Sequence, residues 1–130
     1  MFLSRYALPL QSVLRFVAGL LFIEHGTQKI LHFPPMPAMM AAQIPPRAVP
    51  ILMVAGIIEM IGGFLIAIGF YSRWVAFICS GEMAIAYWGV HFLRGGPFPA
   101  NNAGDAAILF CFVFLYLAAA GPGPYAVNEK

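Results

Sequence analysis

Four apolar stretches, each about as long as a membrane is thick, leave this chain few folds to choose from. They run from about Leu8 to Leu31, Val49 to Phe70, Trp74 to Leu93 and Ala103 to Ala120. A helix rises about 1.5 Å per residue and a hydrocarbon core is roughly 30 Å thick, so about 20 residues suffice to cross it. In lipid the backbone must pair its own polar groups, which a helix does within one segment. The alternating pattern that a barrel strand needs is absent. The reading is all-α: an integral membrane four-helix bundle, antiparallel and up-down-up-down, forming one domain over residues 1–130. Composition closes the soluble alternatives. The chain is 62% hydrophobic and 9% charged, where soluble domains carry about 45–50% apolar and about 25% charged residues. That excludes a soluble enzyme, a disordered chain and a collagen-like repeat. A net charge of +2 is too small for a nucleic-acid partner.

The connections agree with this division. Residues 32–47 hold Pro34, Pro35, Pro37, Pro45 and Pro46, so they form a loop, with a short surface helix expected at Ala38–Gln43. Tyr71-Ser72-Arg73 makes a tight turn, so spans two and three form a hairpin. Gly95-Gly96-Pro97 and Pro99 separate spans three and four. Asn102 is expected to cap span four, with Asp105 three residues on as in a capping box. Gly121-Pro122-Gly123-Pro124 ends that span. The first span is not read as a signal peptide, because no small-residue cleavage site follows it directly.

Both termini then share one side with the Tyr71–Arg73 turn, here the termini side; the two longer connections lie on the loop side. Arg5, Arg73 and Lys130 flank the first, Arg47 and Arg94 the second. The positive-inside rule places the termini in the cytoplasm. Tyr6, Trp74, Tyr116 and Tyr125 suit one interfacial belt; Phe33, Trp88 and Phe92 suit the other.

Three of the five acidic residues fall inside spans: Glu24, Glu59 and Glu82. A charged group at a helix centre costs roughly 2.5–3.5 kcal/mol on the insertion scale. Counting along the helices puts Glu24 about 10 Å, and Glu59 and Glu82 about 15–18 Å, from the loop side. These heights overlap, so the three carboxylates are expected to meet. Ala55, Gly56, Gly62, Gly63 and Ala67 surround Glu59 at helical spacing, and Cys79, Met83, Ala86 and Gly89 surround Glu82. Small residues let helices approach closely in a membrane, so both carboxylates should face inward. In span one, Lys29 or His25 can partner a carboxylate, and Arg15 another carboxylate or a lipid headgroup. Tyr87 and His91 lie one turn apart near the loop side. The bland reading is ion pairing that fixes helix register; the functional one is a polar cavity whose carboxylates take up or release protons. His32 with Met36, Met39 and Met40 offers soft ligands that would suit Cu(I), but loop methionines more often pack on the membrane surface, and no metal site is assigned. Cys79 and Cys111 are counted at different depths and are read as buried, unbridged residues.

The same residues carry a family resemblance. Gly19-Leu20-Leu21-Phe22 followed by His25-Gly26-x-Gln28-Lys29 resembles the first-helix signature of the DoxX family. Gly56-x-x-Glu59-x-x-Gly62-Gly63-x-Leu65 with Gly69 and Arg73 resembles its second-helix pattern. Met83-x-x-Ala86 and His91 resemble the third helix, and Phe98, Asn102, Gly104 and Asp105 the start of the fourth, where Glu is usual in place of Asp105. Gly121-Pro122-Gly123 with Tyr125 resembles the family's end, although Ala126-Val127-Asn128 departs from the usual Ser-Leu-Asp. The resemblance implies a small four-helix bacterial membrane protein. It also implies kinship with a subunit of a quinol-oxidising terminal oxidase, and with members associated with oxidative-stress defence and thiol balance.

The expected function is that of an accessory subunit of a redox system in the bacterial inner membrane. Glu24, Glu59 and Glu82 would accept quinol protons, and His25, Lys29, Tyr87 and His91 would hold the quinone. The sequence shows no haem, flavin or metal motif, so electrons would pass to a membrane or peripheral redox partner. Besides the lipid bilayer and that partner, self-association is expected. A proton-coupled permease or solute-binding membrane protein, and a non-catalytic anchor for a partner enzyme, are the alternatives.

Overall fold

The structure, a computed structural model, describes residues 1–129. Lys130, counted above among the termini-side cations, lies outside the described residues. The described residues are all-helical, with no strand. A 3-10 turn at Phe2–Tyr6 leads into α1 (Ala7–Ile30). The proline-rich connection holds α2 (Ala38–Ala41) and a 3-10 turn at Pro46–Ala48 before α3 (Val49–Ile68). α4 (Ser72–Ala86) continues through a π-helical stretch, Tyr87–His91, into α5 (Phe92–Gly95). α6 (Pro99–Asn102) is a single turn, and α7 (Asp105–Ala120) follows it.

Three continuous helical stretches, Phe2–Ile30, Pro46–Ile68 and Ser72–Gly95, are long and apolar enough to cross a membrane; Asp105–Ala120 is apolar but shorter. Only 33%, 33% and 28% of their most apolar windows is buried. Most of the apolar surface therefore faces outward, which suits lipid and would drive aggregation in water. This is a membrane protein.

The start of α7 differs from the sequence expectation. Gly104, with no side-chain cap, precedes the helix at Asp105. Asn102 belongs to α6, because Pro99 opens a helical turn of its own and Ala103, at φ 57°, closes it. Asn102 Oδ1 instead accepts the Gly104 N–H at 2.8 Å.

Two close antiparallel pairs make the body. In the first, Gly19 of α1 lies against Gly63 and Ala67 of α3, and Gly26 lies against Gly56 and Met60. Four glycines thus bring the two backbones into direct contact. In the second, Ser80 of α4 donates to Cys111 O of α7 at 2.8 Å, and Arg73 Nη1 donates to Ala119 O at 2.6 Å and Ala118 O at 3.2 Å. Arg73 thereby satisfies carbonyls that the last turn of α7 leaves unpaired, at the negative end of that helix. α3 passes to α4 through Gly69 (φ 73°) and Tyr71 (φ 46°). Phe22 of α1 joins the pairs by packing edge-on to Phe114 at 4.8 Å and tilted on Phe110 at 5.3 Å.

The tail beyond α7 closes the termini side. Val127 N and Asn128 N donate to Ile68 O and Gly69 O, each at 3.1 Å. Gln11 Nε2 donates to Gly121 O at 2.6 Å, and Ser12 donates to Pro124 O. Arg15, only 3% exposed, donates from Nη2 to Tyr125 O at 3.1 Å and from Nη1 to Ile66 O at 3.4 Å. Arg15 therefore serves neither a carboxylate nor a lipid headgroup. It lies on the α1 face turned to α3, where its guanidinium meets Ile66 O, which also accepts the Gly69 N–H at 3.0 Å, and the tail carbonyl of Tyr125.

The glycine contact can be tested against an internal control. A Cβ at Gly26 would stand 2.6 Å from Met60 N and 2.7 Å from Gly56 O, both rigid backbone atoms. At Gly81 of α4 a Cβ would meet nothing within 4 Å. Gly26→Ala should cost about 1–3 kcal/mol through overpacking, whereas Gly81→Ala should be neutral or gain up to about 1 kcal/mol of helix propensity. Equilibrium unfolding in mixed detergent micelles reads both.

Candidate functional site

Close contact between α1 and α3 sets Lys29 beside Glu59. Lys29 Nζ donates to Glu59 Oε2 at 2.7 Å and Oε1 at 2.9 Å, and lies 3.4 Å from His25 O. Glu59 is 2% exposed. The lysine stem is long enough to carry the ammonium from the last turn of α1 to the middle of α3. The Cβ that Gly56 lacks would stand 3.0 Å from Lys29 Cβ, so a side chain there would press on that stem.

Glu82 joins this pair from α4. It lies within electrostatic reach of both Glu59 and Lys29, and its Oε2 is buried with no hydrogen-bond partner among the described residues. Cys79, one turn earlier, packs against Gly62 of α3. The site therefore holds two carboxylates and one ammonium in an apolar bundle. One carboxylate is fully engaged, and the other has an open oxygen.

Other expected members lie elsewhere. Glu24 is exposed and does not meet Glu59 and Glu82. Phe22 and Gly26 mark the packed face of α1, and Glu24 stands two residues from each, about 200° around the helix. His25 is also exposed; its ring lies edge-on to Phe110 at 5.7 Å and does not pair with a carboxylate. Gly89, expected beside Glu82, points outward as well.

Tyr87 and His91 form a second polar group with Asn102 at the loop side. His91 Nδ1 is 3.0 Å from Asn102 O. Asn102 Nδ2 donates to Gly96 O at 2.9 Å and to Tyr87 Oη at 3.4 Å, and Tyr87 Oη donates to Pro97 O at 3.4 Å. The Tyr87 ring rests on Gly104, where a Cβ would stand 2.6 Å away. Sequence reasoning missed the role of Asn102 as the centre of this group. It also missed the tail contacts of Gln11, Ser12 and Arg15; the signal was their placement on one face of α1 opposite a tail rich in Gly and Pro. Cys79 and Cys111 are both free.

A shallow groove of about 260 Å³ runs between α1 and α7. Leu14, Val17 and Leu21 line one wall, and Leu109, Phe110 and Val113 the other. Phe110 on this wall also meets the His25 ring edge-on.

With this geometry in place, comparison with known proteins is direct. The DoxX family model matches residues 10–92. The chain belongs to the DoxX family. The matched region includes Lys29, Glu59, Glu82 and His91 and leaves out α7. This DoxX protein is 38% identical over 130 residues to a Haemophilus influenzae protein described as uncharacterized, covering 98% of this chain and 95% of the relative. No solved structure matches it.

The ion pair makes a quantitative prediction. Lys29→Met or Glu59→Ala leaves a buried charge without its partner and should destabilise the protein by about 3–5 kcal/mol. Glu59→Gln should cost less, since the amide oxygen still accepts from Lys29. The double variant Lys29→Met/Glu59→Leu should recover most of the loss, because a buried pair replaced by apolar groups is often nearly neutral. Unfolding of Lys29→Met, Glu59→Leu and the double variant against wild type in detergent gives the coupling energy.

Proposed function

We propose that this DoxX-family protein crosses the bacterial inner membrane as a four-helix up-down bundle and serves as an accessory subunit of a redox system handling quinone or quinol. The observation that carries this reading is the open, buried Glu82 oxygen beside the Lys29–Glu59 pair. Quinol oxidation releases protons, so it needs acceptors placed beside an apolar slot. Glu59 and Glu82 take that role. Lys29 offers hydrogen bonds to a quinone oxygen, and the α1–α7 groove offers a path for a hydrocarbon tail toward His25. Tyr87 and His91 offer a further polar contact at the loop side. The electrons leave to a partner redox protein. Glu24, turned outward, stands outside this arrangement.

The test begins with extraction. Organic solvent applied to protein purified in mild detergent should release quinone, and added quinone should raise the melting temperature. Glu59→Gln should fold normally yet lose both effects. Repeated absence of quinone together with no thermal shift would overturn the proposal. A Glu59→Leu variant as stable and as active as wild type would remove the site from consideration.

The cytoplasmic position of both termini rests on Arg5, Arg73 and Lys130 against Arg47 and Arg94. A green fluorescent protein fused after Lys130 should fluoresce, and alkaline phosphatase fused there should be inactive. The opposite pair of results would invert the orientation.

A further inference from the structure

The third membrane stretch is interrupted where its polar residues lie. At Tyr87–His91 the helix widens, and Phe92 N–H bonds back five residues to Tyr87 O. Such π-helical turns are rare and often mark functional positions. This one carries His91 to Asn102 O, 3.0 Å from Nδ1. A backbone carbonyl has lone pairs and no hydrogen to give, so Nδ1 must carry the hydrogen of this bond. In a neutral imidazole the other nitrogen then holds the lone pair. Any proton that His91 gains or loses is accordingly the one on Nε2.

Asn102 is built to keep that carbonyl in place. It is buried, and its side chain is committed on both sides: Nδ2 to Gly96 O and Tyr87 Oη, and Oδ1 to Gly104 N. These bonds tie together the two glycine turns that flank α6. Aromatic rings stand alongside: Trp88 packs edge-on to Tyr87 at 5.3 Å and tilted on Phe92 at 5.1 Å. Trp88 is exposed.

We infer that Asn102 is a positioning residue that holds His91 as the Nδ1–H tautomer, making Nε2 the atom that accepts a hydrogen bond, and then a proton, from a ligand hydroxyl at the loop side. In that transfer the ligand O–H bond breaks, its electron pair stays on oxygen, and an Nε2–H bond forms; no oxidant enters the step. The choice of a quinol as ligand rests on the reading above, whereas the tautomer does not.

Nitrogen NMR of protein labelled at histidine and held in lipid bilayers reads the tautomer directly, with the His91 signals identified by their loss in His91→Gln. The expected result is Nδ1–H; an Nε2–H signal overturns the inference whatever binds. Asn102→Ala should shift His91 toward Nε2–H while leaving the far-ultraviolet circular dichroism unchanged. An unmoved tautomer would reduce Asn102 to a purely structural residue. Duroquinol binding tests the acceptor. His91→Gln, whose Oε1 replaces Nε2 as acceptor, should bind close to wild type, and His91→Asn about tenfold more weakly, the value of one lost hydrogen bond. Equal binding by the two variants rules out Nε2 as the acceptor. If duroquinol fails to bind wild type while His91 is found as Nδ1–H, the quinone reading falls and the tautomer assignment stands.

Discussion

Glu59 can stay buried because Lys29 reaches it, and Lys29 reaches it because α1 and α3 touch through glycine. The three facts form one constraint. A lone carboxylate at that depth would be too costly to keep ionised, and a lone ammonium equally so. Their bidentate contact at 2.7 and 2.9 Å offsets that cost only while the two backbones remain in direct contact. Gly19, Gly26, Gly56 and Gly63 supply that contact. In lipid, which offers no hydrophobic drive between helices, close van der Waals approach is the main force available to hold them. The residues that pack the helices are therefore also the ones that set the electrostatics of the site.

The second pair, α4 and α7, is held by other means. Ser80 and Arg73 donate to carbonyls of α7, and rings from α1 and α7 interlock around Phe22. The helix ends on the termini side are joined by polar groups bonding to main-chain oxygen. Arg73 serves the C-terminal carbonyls of α7, Arg15 bonds to Ile66 O of α3 and Tyr125 O of the tail, and the tail adds bonds to Ile68 and Gly69. Buried Arg15 meets main-chain oxygen in place of an acid: Ile66 O near the negative end of α3 and Tyr125 O of the tail.

Much of this could be read from the chain before any coordinates. The four apolar stretches, the proline-rich connection and the inward turn of Glu59 follow from hydropathy and from small residues at helical spacing. What could not be read depends on helix rotation and on the irregular segments. Glu24 sits in the first apolar stretch at a height that overlaps that of Glu59 in the second, yet about 200° from the packed positions Phe22 and Gly26; depth alone could not reveal this. For Arg15 the sequence suggests a carboxylate or a lipid headgroup, since sequence shows charges and hides carbonyls. Asn102 had the residue type of a helix cap, but Pro99 and the left-handed Ala103 gave it a turn of its own. The π-helical stretch left no mark in the hydropathy pattern.

The two ends of the molecule now differ in a way that bears on access. On the termini side, the tail and the side chains of Gln11, Ser12, Arg15 and Arg73 are bound to backbone oxygen. These bonds hold that end together around a pocket of about 380 Å³ lined by Leu8, Arg73, Pro122 and Glu129. Buried side-chain atoms without a partner among the described residues occur there too, at Arg15 Nε and Ser72 Oγ; toward mid-bundle the one such atom is Glu82 Oε2, and at the loop side the bond to His91 is made at Nδ1. An unsatisfied polar atom in an apolar interior is costly, and a ligand donor at Glu82 Oε2 would remove that cost. A ligand of the kind proposed would leave the termini-side bonds intact if it came from the loop side past Tyr87 and His91, or sideways along the apolar groove between α1 and α7. The second route suits a molecule that is already dissolved in the membrane. Its tail would remain among Leu14, Leu21 and Leu109 while its polar head approaches His25 and, one turn further along α1, the Lys29–Glu59 pair.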